Sequence, residues 1–150
     1  LTQSLLTQLS AIEIDMTIFF QRLTLVSGAG GDPIAPLKDA FYNQVDASGN
    51  HGDELREWVK CYLSEIRDQE IESGERIATM RETNPKFIFR NYLAQLAIDD
   101  ANQGDFNFLD NLLRILRNPY AEQPENENLA GKRPEWAKER TGCSMLSCSS

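Results

Sequence analysis

Apolar residues at Leu5, Leu9, Ile12, Met16, Phe19, Leu23 and Val26 alternate steps of four and three. That spacing draws one stripe down a single helix of about seven turns. The stripe also fits a coiled-coil seam, but Leu6, Ile14, Phe20 and Leu25 widen the apolar face and favour burial against several helices. Ser27-Gly28-Ala29-Gly30-Gly31-Asp32-Pro33 is expected to stop this helix and act as a hinge. Pro36 to Val45 predicts a short helix with Leu37, Ala40, Phe41 and Val45 inward. From Glu54, the residues Leu55, Trp58, Val59, Tyr62, Leu63 and Ile66 repeat at helical spacing, which predicts another core helix. It weakens at Ser73-Gly74, and Glu75 to Thr83 reads as a short continuation presenting Ile77 and Met80.

The stretch Asn84-Pro85-Lys86-Phe87-Ile88-Phe89-Arg90-Asn91-Tyr92-Leu93-Ala94-Gln95 fuses a stop, a start and an amphipathic run. The proline ring holds Asn84 out of the helical region, and Pro85 suits a first helical position, where its missing N–H has no partner to lose. The expectation is a helix ending near Asn84 and a buried one of about 18 residues beginning at Pro85. On it, Phe89, Leu93, Leu96 and Ala97 share a face, Phe87, Ile88 and Tyr92 lie beside it, and Gly104 closes it. Lys86 and Arg90, four apart, then point the same way, and an ion pair with a neighbouring helix is favoured over direct ligand contact. Asp105 is expected to cap a following helix with Phe106, Leu109, Leu112, Leu113 and Leu116 inward, ended by Asn118-Pro119. Beyond it the chain is rich in proline and charge, reads as irregular, and has Tyr120, Leu129 and Trp136 as anchors. The fold class is therefore all-α: an irregular bundle of five or six helices over residues 1–118 and a docking tail over 119–150.

A chain of 150 residues is one domain's worth, and 41% hydrophobic with 25% charged residues is ordinary for a soluble globular protein. The net charge of -8, from 23 acidic and 15 basic residues, argues against a nucleic-acid or anionic-membrane partner, which it would repel. No run approaches the ~18 uninterrupted apolar residues of a membrane span. The chain opens on Leu1 with neither a basic leader nor a cleavage site, and reads as a piece of a longer protein. Cys61, Cys143 and Cys148 are too few and too unevenly placed for a disulfide scaffold, so a reducing compartment is expected.

Candidate chemistry is sparse. The glycine cluster after residue 27 invites a phosphate-loop reading, but it follows a helix and lacks the closing Lys-Ser/Thr. Asp46 to Glu57 carries oxygen donors at positions one, three, five and twelve of a calcium-loop pattern. His51 stands at the sixth position, where a glycine is needed, and a solvated loop with Asp53 as helix cap is the favoured reading. His51 is the only histidine, Cys61 lies off the apolar stripe as a bystander, and the adjacent Asp99 and Asp100 diverge by ~100° on a helix as part of a solvated face. Taken alone, these residues describe a helical support or interaction module with no metal or cofactor site of its own.

Asn84 to Gln95 resembles the Asn-Pro-Lys-aromatic-aliphatic-x-Arg-Asn-aromatic-Leu-Ala-Gln signature near the C-terminus of the selenoprotein O (SelO) family. Leu116-Arg117-Asn118-Pro119-Tyr120-Ala121-Glu122-Gln123-Pro124, Pro134-Glu135-Trp136-Ala137 and Ser147-Cys148-Ser149-Ser150 agree in order and spacing, and Trp58 with Tyr62 match more weakly. The structural motif residues are thus Asn84, Pro85, Lys86, Arg90, Asn91, Tyr92, Asn118, Pro119, Tyr120 and Trp136. The resemblance implies a longer parent: a kinase-like protein that transfers AMP from ATP to protein hydroxyls with Mg or Mn. Its catalytic lysine, glutamate, asparagine, aspartate and glycine-rich loop would stand upstream of Leu1, and this chain would be the helical part that buttresses them. The implied partners are that upstream portion and protein substrates; the implied compartment is the cytoplasm in a bacterium and the mitochondrion in a eukaryote. Cys148 stands third from the end, where the family places its selenocysteine or cysteine, which implies redox control. Met145 replaces the cysteine that family members often carry three residues earlier, and Cys143 is offered instead. A pair with Cys143, a pair with an upstream cysteine, and a free thiol all remain open for Cys148. A stand-alone interaction module without catalysis is the alternative function.

Overall fold

The computed structural model describes residues 1–26, 31–43, 49–140 and 142–143. Among them the regular structure is entirely helical, six α-helices and three 3-10 helices, as the all-α expectation requires. The chain forms two compact units, Leu1–Asn84 and Pro85–Ser150.

In the first unit the stripe residues Leu5, Leu9, Phe19, Leu23 and Val26 are buried and Ile12 and Met16 partly so, on and beside two helices rather than one: α1 (Thr2–Ser10) and α2 (Met16–Leu23). The expected continuous helix is broken by Asp15. Its buried carboxylate accepts the Ile18 N–H at 3.0 Å, which caps α2, and its own N–H donates to the Ala40 carbonyl at 2.8 Å. Tyr42 N–H donates to the Glu13 carbonyl at 3.1 Å, so Ile14 and Phe41 form an isolated antiparallel bridge where the helix would have continued. Between these ends lies a 3-10 helix, Ala35–Ala40, in place of the longer helix expected to Val45; Phe41 is already extended. Val45 and Ser27 to Gly30, the expected hinge, lie outside the described residues.

The helix α3 (Asn50–Asp68) begins three residues before Asp53, with Gly49 as cap. Asp53 is therefore not the cap; it sits in the first turn, where a carboxylate favours the positive end of the helix dipole. Positions five to twelve of the calcium-loop pattern, Asn50 to Glu57, are helical, which prevents them from wrapping a cation. Leu55, Trp58 and Val59 join Leu5, Leu9, Phe19, Leu23, Ile34, Leu37 and Phe41 in one core, each such side chain contributing ~1.5–3 kcal/mol by burial. Cys61 is exposed. The helix α4 (Ser73–Thr83) is separate from α3: the chain turns through Glu70, at φ 53°, and Glu72 caps α4 by accepting the Gly74 and Glu75 N–H groups.

The second unit holds α5 (Asn91–Ala101) and α6 (Asn107–Leu116), joined through Gly104 at φ 83°. Tyr92, Leu93, Leu112, Ala137 and Cys143 form its core, with Leu96, Phe108, Leu116 and Leu129 packed against it. On α6 the inward face is Phe108, Leu112, Ile115 and Leu116, at spacings of four, three and one. The expected inward Phe106 and Leu113 are 54% and 48% exposed, because the choice among several apolar residues on a short helix depends on what packs beside it. Asp105 does accept the Asn107 N–H at 2.9 Å, one residue off the expected cap.

Candidate functional site

The helix expected from Pro85 starts six residues later. Pro85 to Arg90 is not helical, and α5 begins at Asn91, with Arg90 at φ −77°, ψ 144° as its cap residue. A start signal at Pro85 was overridden by a distant acceptor: the Lys86 and Phe87 N–H groups both donate to the Pro119 carbonyl, at 2.7 and 3.0 Å. In this non-helical stretch Phe87 turns inward and is buried while Phe89 is 54% exposed, the reverse of the helical expectation for Phe89.

This brings together two sequence motifs 36 residues apart. Lys86 Nζ is 2.6 Å from Glu122 Oε2 and 2.6 Å from Glu127 Oε2, the latter on a 3-10 helix, Pro124–Leu129. Burial of the ammonium opposes its charge, but hydrogen bonds to the two glutamates outweigh it and raise the Lys86 pKa above the ordinary lysine value. For Lys86 the ion pair exists, its partners being Glu122 and, on a 3-10 helix, Glu127, instead of a neighbouring α-helix. Gln123 closes the same corner, its Nε2 donating to the Ile115 and Asn118 carbonyls at 3.2 and 3.0 Å. Asn126 is buried and donates from Nδ2 to Gln123 Oε1 at 3.1 Å. Arg90 no longer shares a face with Lys86 and is 2% exposed. A buried guanidinium requires partners in a fixed geometry, which makes it a structural residue in this setting.

The remaining motif residues are placed as follows. Asn84 ends α4, its Nδ2 donating to the Met80 carbonyl at 2.8 Å, and belongs to the first unit. Asn91 opens α5 and Tyr92 is buried in the core of the second unit. Trp136, on a 3-10 helix Glu135–Ala137, presents its ring edge-on to Tyr92 at 6.2 Å between centroids. Trp136 keeps 47% exposure and Tyr120 51%, and the edge-on contact with Tyr92 is what docks the Trp136 ring. Asp99, expected on a solvated face, accepts Gln95 Nε2 at 2.9 Å and Arg140 Nη2 at 2.6 Å. The Gln95 hydrogen bond and the Arg140 guanidinium hold its pKa below the usual carboxylate value. Cys143 is fully buried; Cys148 lies outside the described residues.

Asn126, Glu127 and Arg140 were not singled out from the sequence, and Glu122 and Gln123 stood only within the Leu116 to Pro124 motif, with no role assigned to them. No local pattern marks them, since each meets a partner that only chain reversal brings near. What the arrangement does chemically is hold backbone: it consumes its lysine, carboxylates and amides in fixing residues 85–90 against 118–129. Among the described residues no three His, Cys, Asp or Glu side chains stand together as a metal ion would need.

Known proteins bear on this cluster. A protein nucleotidyltransferase YdiU of Aromatoleum aromaticum is 42% identical over 150 residues, all of this chain but 28% of the relative. Its namesake in an Azoarcus species is 45% identical over 138 residues, 92% of this chain and 26% of the relative. In Rhodopirellula baltica the figures are 41%, all of this chain and 30% of the relative. The chain thus spans under a third of the length of these curated bacterial relatives. The family described as protein adenylyltransferase SelO matches residues 1–117, most of the chain, and the chain belongs to that family.

Proposed function

We propose that residues 1–150 are the helical supporting region of a longer, ATP-dependent protein adenylyltransferase. The parent moves AMP from ATP to protein hydroxyl groups with Mg or Mn, and this chain braces a kinase-like portion that carries the reacting groups. Family membership supports the reaction class, and so do relatives named as nucleotidyltransferases of which this chain is under a third. The observation that carries the supporting role is the use to which the signature is put. Lys86, the most reactive-looking of the signature residues, is committed to Glu122 and Glu127, and the Pro119 carbonyl is committed to two backbone N–H groups. A region whose marked residues are spent on its own architecture acts by shape and rigidity.

The test incubates the full-length parent, and separately this chain, with ATP labelled on the α-phosphate, Mg or Mn, and a protein mixture. Label transferred by the parent and not by this chain is the expected result. A folded, metal-loaded parent that transfers no label under reducing or oxidising conditions would overturn the reading and leave a helical interaction module. Redox control through Cys148 is part of the proposal, and Cys148→Ser should abolish any difference between the two redox conditions. The proposal puts the parent in the cytoplasm, a reading that its bacterial relatives support and that cell fractionation tests.

A further inference from the structure

The residues around Trp136 to Cys143 meet α5 through four separate contacts. Arg140 Nη2 donates to Asp99 Oδ2 at 2.6 Å, and the Arg140 guanidinium also lies 5.6 Å from the Trp136 ring centroid. Trp136 in turn abuts Tyr92, and Ala137, beside it, is fully buried. Gly142, at φ 87°, approaches so closely that a Cβ there would lie 2.5 Å from Gln95 Oε1. Gln95 itself donates to Asp99, so two hydrogen-bonded side chains of α5 receive the segment, Asp99 at its charged point and Gln95 at its closest. Next to Gly142, Cys143 is fully buried in the cluster of Tyr92, Leu93, Leu112 and Ala137.

A thiol so placed has no access to a reagent in solution while these contacts hold. The polar contacts are individually weak, and Ala137 and Cys143 are the core side chains this segment contributes. The Arg140 and Asp99 side chains are 41% and 30% exposed, and such pairs contribute little in water, as does one exposed cation–π contact. A small number of weak contacts on a short segment is the arrangement that opens locally without unfolding the domain.

We propose that Trp136, Ala137, Arg140 and Gly142 form a latch on α5, and that opening of this latch, not global unfolding, governs the chemical reactivity of Cys143. The latch is independent of the adenylyl-transfer reading, since it concerns only contacts within the second unit. Closed, it keeps Cys143 as a core residue; open, it delivers the thiol to solvent.

The experiment is timed alkylation of the full-length parent by iodoacetamide under native, reducing conditions, with the adducts on Cys143 and Cys61 quantified by peptide mass spectrometry. Exposed Cys61 is the internal reference. In the parent sequence Cys143 should react at least ~100-fold more slowly than Cys61. Arg140→Ala should speed Cys143 by ~2- to 5-fold, the worth of one screened ion pair to α5 at tenfold per 1.4 kcal/mol. Gly142→Ala should speed it further, and Asp99→Asn, which keeps a hydrogen-bonding side chain, should act by the ion pair alone. Lys60→Ala, which removes an exposed ion pair with Glu57 in the first unit, should change nothing. If Cys143 reacts as fast as Cys61, or if neither Arg140→Ala nor Asp99→Asn alters its rate, there is no latch. If the acceleration tracks each variant's loss of global stability in urea, exposure comes from unfolding and the proposal fails. Should Arg140→Ala not fold, Asp99→Asn and Arg140→Lys decide the matter alone.

Discussion

Replacing Lys86 by methionine tests whether the signature lysine holds the segment after Pro119. Methionine keeps the apolar stem and removes only the charge, so the packing of the stem beside Phe87 is largely retained. The ammonium is 2.6 Å from each of two carboxylates, its side chain 18% exposed and theirs 70% and 63%. Exposed pairs contribute ~0.2–1 kcal/mol each, and the solvated glutamates place both pairs within that range. Burial of the ammonium offsets part of this, so Lys86→Met should destabilise by ~1 kcal/mol, read as a shift of the urea midpoint at pH 7. A double-mutant cycle with Glu122→Gln should return a coupling of ~0.3–1 kcal/mol. The pH dependence follows from the direction of the shift. A pKa raised by folding contributes stability that is complete below the unfolded value of 10.5 and is lost as pH rises through the folded value, so Lys86→Met should flatten the curve only above about pH 10. Hydrogen exchange gives the local readout: the Lys86 and Phe87 amides, both bonded to the Pro119 carbonyl, should lose protection. Unchanged protection of both amides, together with a coupling near zero, would refute the idea that this ion triad holds 118–129 against 85–90.

Further outcomes follow from other contacts. Phe87→Ala should cost ~3–4 kcal/mol and Phe89→Ala under ~0.5 kcal/mol in urea unfolding, since the first ring is buried and the second is not; equal costs would restore the helical reading of 85–90. Arg56 Nε and Nη2 donate to Asp32 at 3.0 and 3.2 Å, and that pairing foremost, with Ile34 N–H and Lys38, brings the Asp32 pKa from 3.8 to about 2 against the effect of burial. The full shift is worth ~2.4 kcal/mol, which screening of a partly exposed pair reduces to ~1 kcal/mol. Being a lowered pKa, it stabilises above the unfolded value and is lost as pH falls from about 4 to 2, so Asp32→Asn should remove that part of the acid transition. Asp15→Ala should cost ~1–2 kcal/mol in thermal unfolding through loss of the α2 cap, without fusing α1 to α2 in the circular dichroism signal, because the Ile14–Phe41 bridge also holds the break.

Position by position, the sequence settled which residues are apolar partners and which class of fold they make. Leu5, Leu9, Phe19, Leu23, Leu55, Trp58, Val59, Leu93 and Leu112 are buried as their spacing requires, because a helical period of 3.6 is a local property that any packing must respect. Motif order alone also identified the family. What only tertiary structure decided is where helices stop and which of several apolar faces turns inward. The stripe through residue 15 reads as continuous until Ala40 supplies an acceptor for the Asp15 N–H, and Pro85 reads as a helix start until Pro119 takes the two N–H groups after it. In both places a hydrogen bond to a residue 25 or more positions away won over a local preference worth a fraction of a kcal/mol per residue. The Lys86–Glu122–Glu127 triad and the Arg140–Asp99 pair were hidden for the same reason: charge on a chain can be counted, but its partners are assigned only when the chain folds back on itself.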